Sequence, residues 1–235
     1  MTVQWQQELP GWYGKLPGLG DFAGRRLPDG FVAAWDDWLQ RGMAASQEAL
    51  GASWLESFLT APVWGFLLGA RVLDGGPWAG ILLPSVDRVG RYFPLTLAAA
   101  MPGLSLEPAV LASVQQWAER LEEAARAGLN PDAGVDVLEA GLQASPVPAL
   151  PAGASAGLGT ALLRGDAFAQ LEAGGGAGLP DLAAGTGAQL ADTLFGAYTL
   201  WWCRGPDGAT GGFACQGMPG AAVFARMLQY LPGHS

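Results

Sequence analysis

The chain has 235 residues, 50% of them hydrophobic and only 14% charged, with a formal net charge of −9. That length builds one large domain or two small ones and buries a sizeable core without staples. Twelve basic residues, one lysine among them, against 21 acidic ones argue against nucleic acid or anionic lipid as a partner, since both need clustered cations.

In chain order, residues 10–30 are dense in Gly and Pro, yet Trp12, Tyr13, Leu16, Leu19 and Phe22 anchor them. This composition predicts an ordered loop system rather than a flexible linker. From Asp29, a plausible N-cap, Phe31, Trp35, Trp38, Leu39 and Met43 fall on one helical stripe that Gly51 closes. Ser53 and Glu56 have capping-box spacing, predicting a short helix that ends before Pro62. Val63 to Val72 and Trp78 to Leu83 read as a hairpin around Asp74-Gly75-Gly76, with continuous apolar runs that suggest burial on both faces. A third strand, Tyr92 to Ala99, contains Pro94, which points to an edge or a bulge.

Ser105 opens the strongest helical pattern, with Leu106, Val110, Val114, Trp117 and Leu121 on one stripe and Gly128 as its stop. A short helix follows from Asn130-Pro131-Asp132 through Gln143, and a weak one is expected over Ala161 to Glu172. Residues 144–160 and 173–190 read as surface loops. Thr193 to Arg204 and Gly212 to Gln216 pair as strands about Pro206-Asp207-Gly208, and Gly220 to Leu231 closes the chain as a helix. The order of elements predicts an α/β fold, with a mixed, largely antiparallel sheet, in one domain over residues 1–235.

The catalytic inventory is poor. The one histidine, His234, lies next to the last residue, which leaves no convincing Ser-His-Asp triad or Cys-His pair. Gly14-Lys15-Leu16 lacks the spacing of a phosphate loop. Asp36 and Asp37 are neighbours on a helix and face different ways, and Glu119, Glu122 and Glu123 read as a solvated face. Cys203 and Cys215 are too few for a zinc site and are expected to be free thiols, unless adjacent strands bring them together. The first residues carry no signal-peptide pattern, and Pro146, Pro148 and Pro151 break the longest uncharged run, so a cytoplasmic protein is expected.

Two segments concentrate polarity. Gly11 to Pro28 holds Trp12, Lys15, Asp21, Arg25 and Arg26; Pro84 to Pro94 holds Asp87, Arg88, Arg91 and Tyr92. Five of the twelve basic residues lie there. On one reading the segments fold against each other, with Asp21 and Asp87 hydrogen-bonding or pairing with the arginines. On the other they present arginine and aromatic anchors to a partner. The two readings are compatible. An enzyme handling phosphate or nucleotide with Lys15, Asp21, Asp87 and Arg88 is a rival, and a purely structural piece of a larger apparatus is another.

These segments also carry a resemblance. Gly11-Trp-Tyr-Gly-Lys-Leu-Pro17, Gly20-Asp-Phe22, Leu27-Pro28, Trp35 and Trp38 resemble the opening of the TagF (ImpM) family of bacterial type VI secretion. Pro84-Ser-Val-Asp-Arg-Val-Gly-Arg-Tyr-Phe-Pro-Leu-Thr96 is similar to its second signature, and Thr199-Leu-Trp-Trp202 and Gly217-Met-Pro219 to its later part. The resemblance implies a three-layer α-β-α sandwich and a cytoplasmic post-translational repressor. Its implied partner is the forkhead-associated scaffold protein of the secretion pathway. It brings no catalytic residue and no cofactor.

Overall fold

The computed structural model describes residues 8–150, 162–164, 186–230 and 232. A seven-stranded sheet forms its centre, in the order β2-β1-β5-β4-β3-β6-β7. The strands are β1 (Gly11–Gly14), β2 (Ala23–Arg25), β3 (Trp64–Leu68), β4 (Trp78–Leu83), β5 (Leu95–Ala100), β6 (Tyr198–Arg204) and β7 (Thr210–Gln216). Every pairing between these strands is antiparallel, so the sheet is more uniform than the mixed one expected.

Alternation along the strands sends side chains to two separate cores. Leu67, Ala79, Ile81, Leu83, Leu95 and Leu97 pack with α3 (Pro108–Gly128) and α4 (Val135–Gln143) into a largely aliphatic layer. Trp64, Phe66, Leu68, Trp78 and Trp201 pack on the other face against α1 (Asp29–Leu50), α2 (Trp54–Leu59) and α6 (Ala221–Met227). That second layer is aromatic, and it is stitched by indole N–H bonds. Trp35 donates to Thr96 Oγ1 at 2.8 Å and Trp38 to the Pro219 carbonyl at 2.8 Å. Each bond satisfies a donor whose burial would otherwise cost about 1–3 kcal/mol. The three-layer α-β-α sandwich is therefore present. A glycine sets one helix contact in it: a Cβ on Gly42 of α1 would lie 2.6 Å from the Phe224 ring of α6.

Several boundaries differ from the sequence pattern, each for a local reason. Pro28 occupies the N-cap of α1, and Asp29 is its first residue, where the carboxylate still meets the positive end of the helix dipole. Ser53 makes no cap; its hydroxyl donates to the Leu50 carbonyl within a 3-10 turn that continues α1 into α2. Pro94 lies just before β5, which is interior rather than an edge strand. α3 begins at Pro108, with the proline in the first turn, instead of at Ser105. The Asn130 side chain forms a turn by accepting from the Asp132 N–H, so α4 starts later, at Val135.

Thr186–Phe195 is a helix, α5, which corrects the loop expected over 173–190 and the strand expected from Thr193. Gly196 N–H bonds back to the Asp192 carbonyl, ending that helix before β6 begins. Of the weak helix expected over 161–172, residues 162–164 are helical, and the rest lies outside the described residues. Residues 144–150 have no regular structure; 151–160 and 173–185 also lie outside the described residues. Cys203 and Cys215 sit on adjacent strands but oppose Gly211 and Thr199 respectively, and both thiols are free.

Candidate functional site

The two polar segments meet at one end of the sheet. The first wraps from β1 into β2, and the second joins β4 to β5, which lies beside β1. Gly14 makes the approach possible: its φ is +142, and a Cβ there would fall 2.2 Å from the Pro94 carbonyl oxygen. The Ser85 hydroxyl donates to the Lys15 carbonyl at 2.6 Å, and the Arg88 N–H to the Leu19 carbonyl at 2.9 Å.

Asp87 is the hub. Its side chain has no solvent exposure, and Lys15 Nζ, nearly as buried, donates to Oδ2 at 2.7 Å. Arg91 Nε donates to the same oxygen at 2.7 Å, while the Val89 and Arg91 N–H groups donate to Oδ1 at 3.0 and 2.9 Å. Burial pushes the carboxyl upward, but the Lys15, Arg91 and backbone donors outweigh it and hold Asp87 well below the usual carboxylate range. Lys15 Nζ also lies 4.7 Å from the centre of the Phe22 ring. Phe22 in turn meets Phe93 edge-on at 4.8 Å and stacks on Tyr13 at 6.0 Å. Burial and then a 2.6 Å bond to Asp36 push the Tyr13 phenol above its ordinary range.

A second carboxylate holds the outer arginines. Glu139, from α4, accepts from Trp12 Nε1 at 2.6 Å and from Arg26 NH1 at 2.7 Å, and Arg25 NH1 lies 3.4 Å away. Arg26 has φ +64, uncommon for an arginine, and its Nε donates to the Pro10 carbonyl. Burial raises the Glu139 carboxyl, but the bonds from Arg26 and Trp12 bring it below its ordinary value.

The candidate residues therefore divide. Trp12, Lys15 and Asp87 are buried and serve internal order. Arg26 and Arg91 are anchored, Arg91 also reaching the Gly20 carbonyl at 2.5 Å and Asp21 at 3.6 Å. Tyr92 bridges to Val86 and packs edge-on against Trp54 and Phe58. Asp21, Arg25 and Arg88 point outward, beside Phe22 at 44% and Val89 at 64% exposure. Sequence reasoning missed Phe22 as an outward residue and Glu139 as a partner. Glu139 did leave a signal, because it shares a helical face with Val135, Leu138 and Leu142, where a carboxylate needs cations.

A groove of about 690 Å³ lies elsewhere, between α3 and β3–β6, lined by Gly65, Glu119, Glu122, Trp202 and Arg204. Among the described residues, no three metal-capable side chains converge, and no helix is long and apolar enough to cross a membrane.

A family model for the TagF N-terminal domain, described as type VI secretion system-associated, matches residues 11–145. That span takes in both loops and Glu139. The chain belongs to the TagF family. The chain is also similar to a solved structure, the crystal structure of PA0076 from Pseudomonas aeruginosa PAO1, with a TM-score of 0.73 and 33% identity, over 96% of this chain and 95% of that one. No curated protein shows significant similarity. In this TagF-family chain the matched region ends before α5, β6, β7 and α6, which extend the sheet beyond β3.

Proposed function

We propose that this TagF-family protein is a non-enzymatic, cytoplasmic, post-translational repressor of type VI secretion that acts by contact with the forkhead-associated scaffold protein. The observation that carries the reading is the division within the loops. Lys15 and Asp87 neutralise each other in a closed cage, while Arg25, Arg88 and Phe22 project from it. A rigid frame presenting arginine and aromatic groups suits a protein interface, where such residues contribute most of the binding energy. The same cage disfavours phosphate or nucleotide chemistry by Lys15, Asp21, Asp87 and Arg88. Its two buried members are already paired, and the two outward ones do not line the groove between α3 and β3–β6.

The test pairs binding with secretion. Arg88→Glu and Arg25→Gln should weaken capture of the purified scaffold at least tenfold, with unfolding free energy held within about 0.5 kcal/mol for the exposed Arg88 and within about 1 kcal/mol for Arg25, which gives up a half-exposed ion pair with Glu139. Arg91→Glu is unsuitable, since it sets a carboxylate against buried Asp87. Overproduction of the wild-type chain should lower secretion in proportion to dose, which a structural component need not do. Normal scaffold binding by both variants would remove this surface. Secretion unaffected by dose would remove the repressor role.

A further inference from the structure

The two edges of the sheet are built differently. β2 has three residues, carries Arg25, runs into Arg26 at φ +64 and is followed by Pro28. Short length, charge and irregular backbone are the features that keep an edge from pairing. β7 has none of them: its seven residues, Thr-Gly-Gly-Phe-Ala-Cys-Gln, contain no charge and no proline.

The β6–β7 ladder shows which β7 groups are unpaired. It is bounded by bonds from Gly205 N–H to the Ala209 carbonyl and from Gly217 N–H to the Ala197 carbonyl. Opposed positions exchange bonds at every second residue, so Gly211, Phe213 and Cys215 bond inward to β6. Thr210, Gly212, Ala214 and Gln216 therefore turn their N–H and C=O outward. Among the described residues, nothing on the outer side of β7 accepts or donates to them.

We infer that β7 is a dimerisation edge and that its occupant is β7 of a second copy, antiparallel across a two-fold axis at Phe213. The outward set is symmetric about Phe213. Thr210 opposes Gln216 of the partner copy and Gly212 opposes Ala214, and every such pair consists of two outward-bonding residues. A shift of one residue would oppose outward with inward groups and lose the ladder. Phe213 then meets its own counterpart at a position without ladder bonds, where side chains approach most closely and aromatic pairs contribute. Net charge of −9 opposes self-association, and contact through a strand with no charged residue adds least to that opposition. Another protein's strand could use the same backbone groups, but the one strand on view with this self-complementary register is β7 itself.

Sedimentation equilibrium from low to high micromolar concentration tests the inference. The wild-type chain should rise toward twice its 24.3 kDa mass. Ala214→Pro should stay at the single mass, with its far-UV circular dichroism unchanged, because its lost N–H points away from β6. Hydrogen exchange on the wild type gives a second readout that needs no variant. The Thr210, Gly212, Ala214 and Gln216 amides should slow at least tenfold as concentration rises. A wild-type monomer throughout, a dimer that Ala214→Pro leaves intact, or outward amides whose exchange is independent of concentration would each overturn it.

Discussion

Asp87 and Glu139 both gather cations from the signature loops, yet they hold the fold in different ways. Asp87 belongs to the loop it orders. Its donors include the amides of Val89 and Arg91 as well as Lys15, and no solvent reaches it. Glu139 comes from a helix far along the chain and ties Trp12 and Arg26 to α4, with its side chain 11% exposed. One cluster specifies local loop shape, while the other fixes where the loop pair sits on the sandwich. Only beyond these clusters does the surface become available to a partner.

The largest expected effect comes from Lys15→Met. It removes the ammonium from a buried pair and leaves a carboxylate that only Arg91 and backbone amides still serve. Breaking such a pair costs about 3–5 kcal/mol, measurable as a shift in urea midpoint at unchanged slope. A loss below about 1 kcal/mol would mean that Arg91 alone compensates Asp87, and the distinction between the two carboxylates would collapse.

Acid should act next, and mainly through Asp87. Its folded carboxyl lies below the ordinary value of about 4, so its stabilisation is complete above that pH and is lost as pH falls toward the folded value. Glu139 shifts in the same direction. Wild-type unfolding free energy should therefore decline below about pH 4. Glu139→Gln should retain most of that slope, and Asp87→Asn should flatten it. The reverse ranking, measured by denaturant titration at successive pH values, would place the main acid-sensitive contact on α4 instead.

Much of this frame was legible in the sequence because it is written in short-range periodicity. The α1 stripe from Phe31 to Met43 and the α3 stripe from Val110 to Leu121 are buried as their spacing implies. The β3–β4 hairpin follows from two apolar runs around paired glycines. The meeting of the two loops was one of two open readings, with Asp87 expected on arginine; Arg91 fits that, but Lys15 reaches Asp87 only because the β1–β5 pairing brings their loops together. Glu139 escaped notice because its partners lie more than a hundred residues away, and no local rule connects them. α5 was hidden by composition: glycine and alanine around residue 186 outweighed the helical spacing of Leu190 and Leu194.

The smallest effect separates the two parts of the Glu139 contact. Glu139→Gln keeps an amide oxygen that can accept the Trp12 N–H, but it removes the charge facing Arg26. The expected cost is about 1 kcal/mol, the upper end for an ion pair whose arginine is partly exposed to solvent. Pairing this substitution with Arg26→Met in a double-mutant cycle should give a coupling energy near 1 kcal/mol. The Arg26 side chain is 30% exposed, so salt should weaken that coupling. A coupling near zero that salt does not change would assign the α4 tether to Trp12 and Arg25 rather than to Arg26. The Pro10 carbonyl would then count for more than Glu139 in holding Arg26.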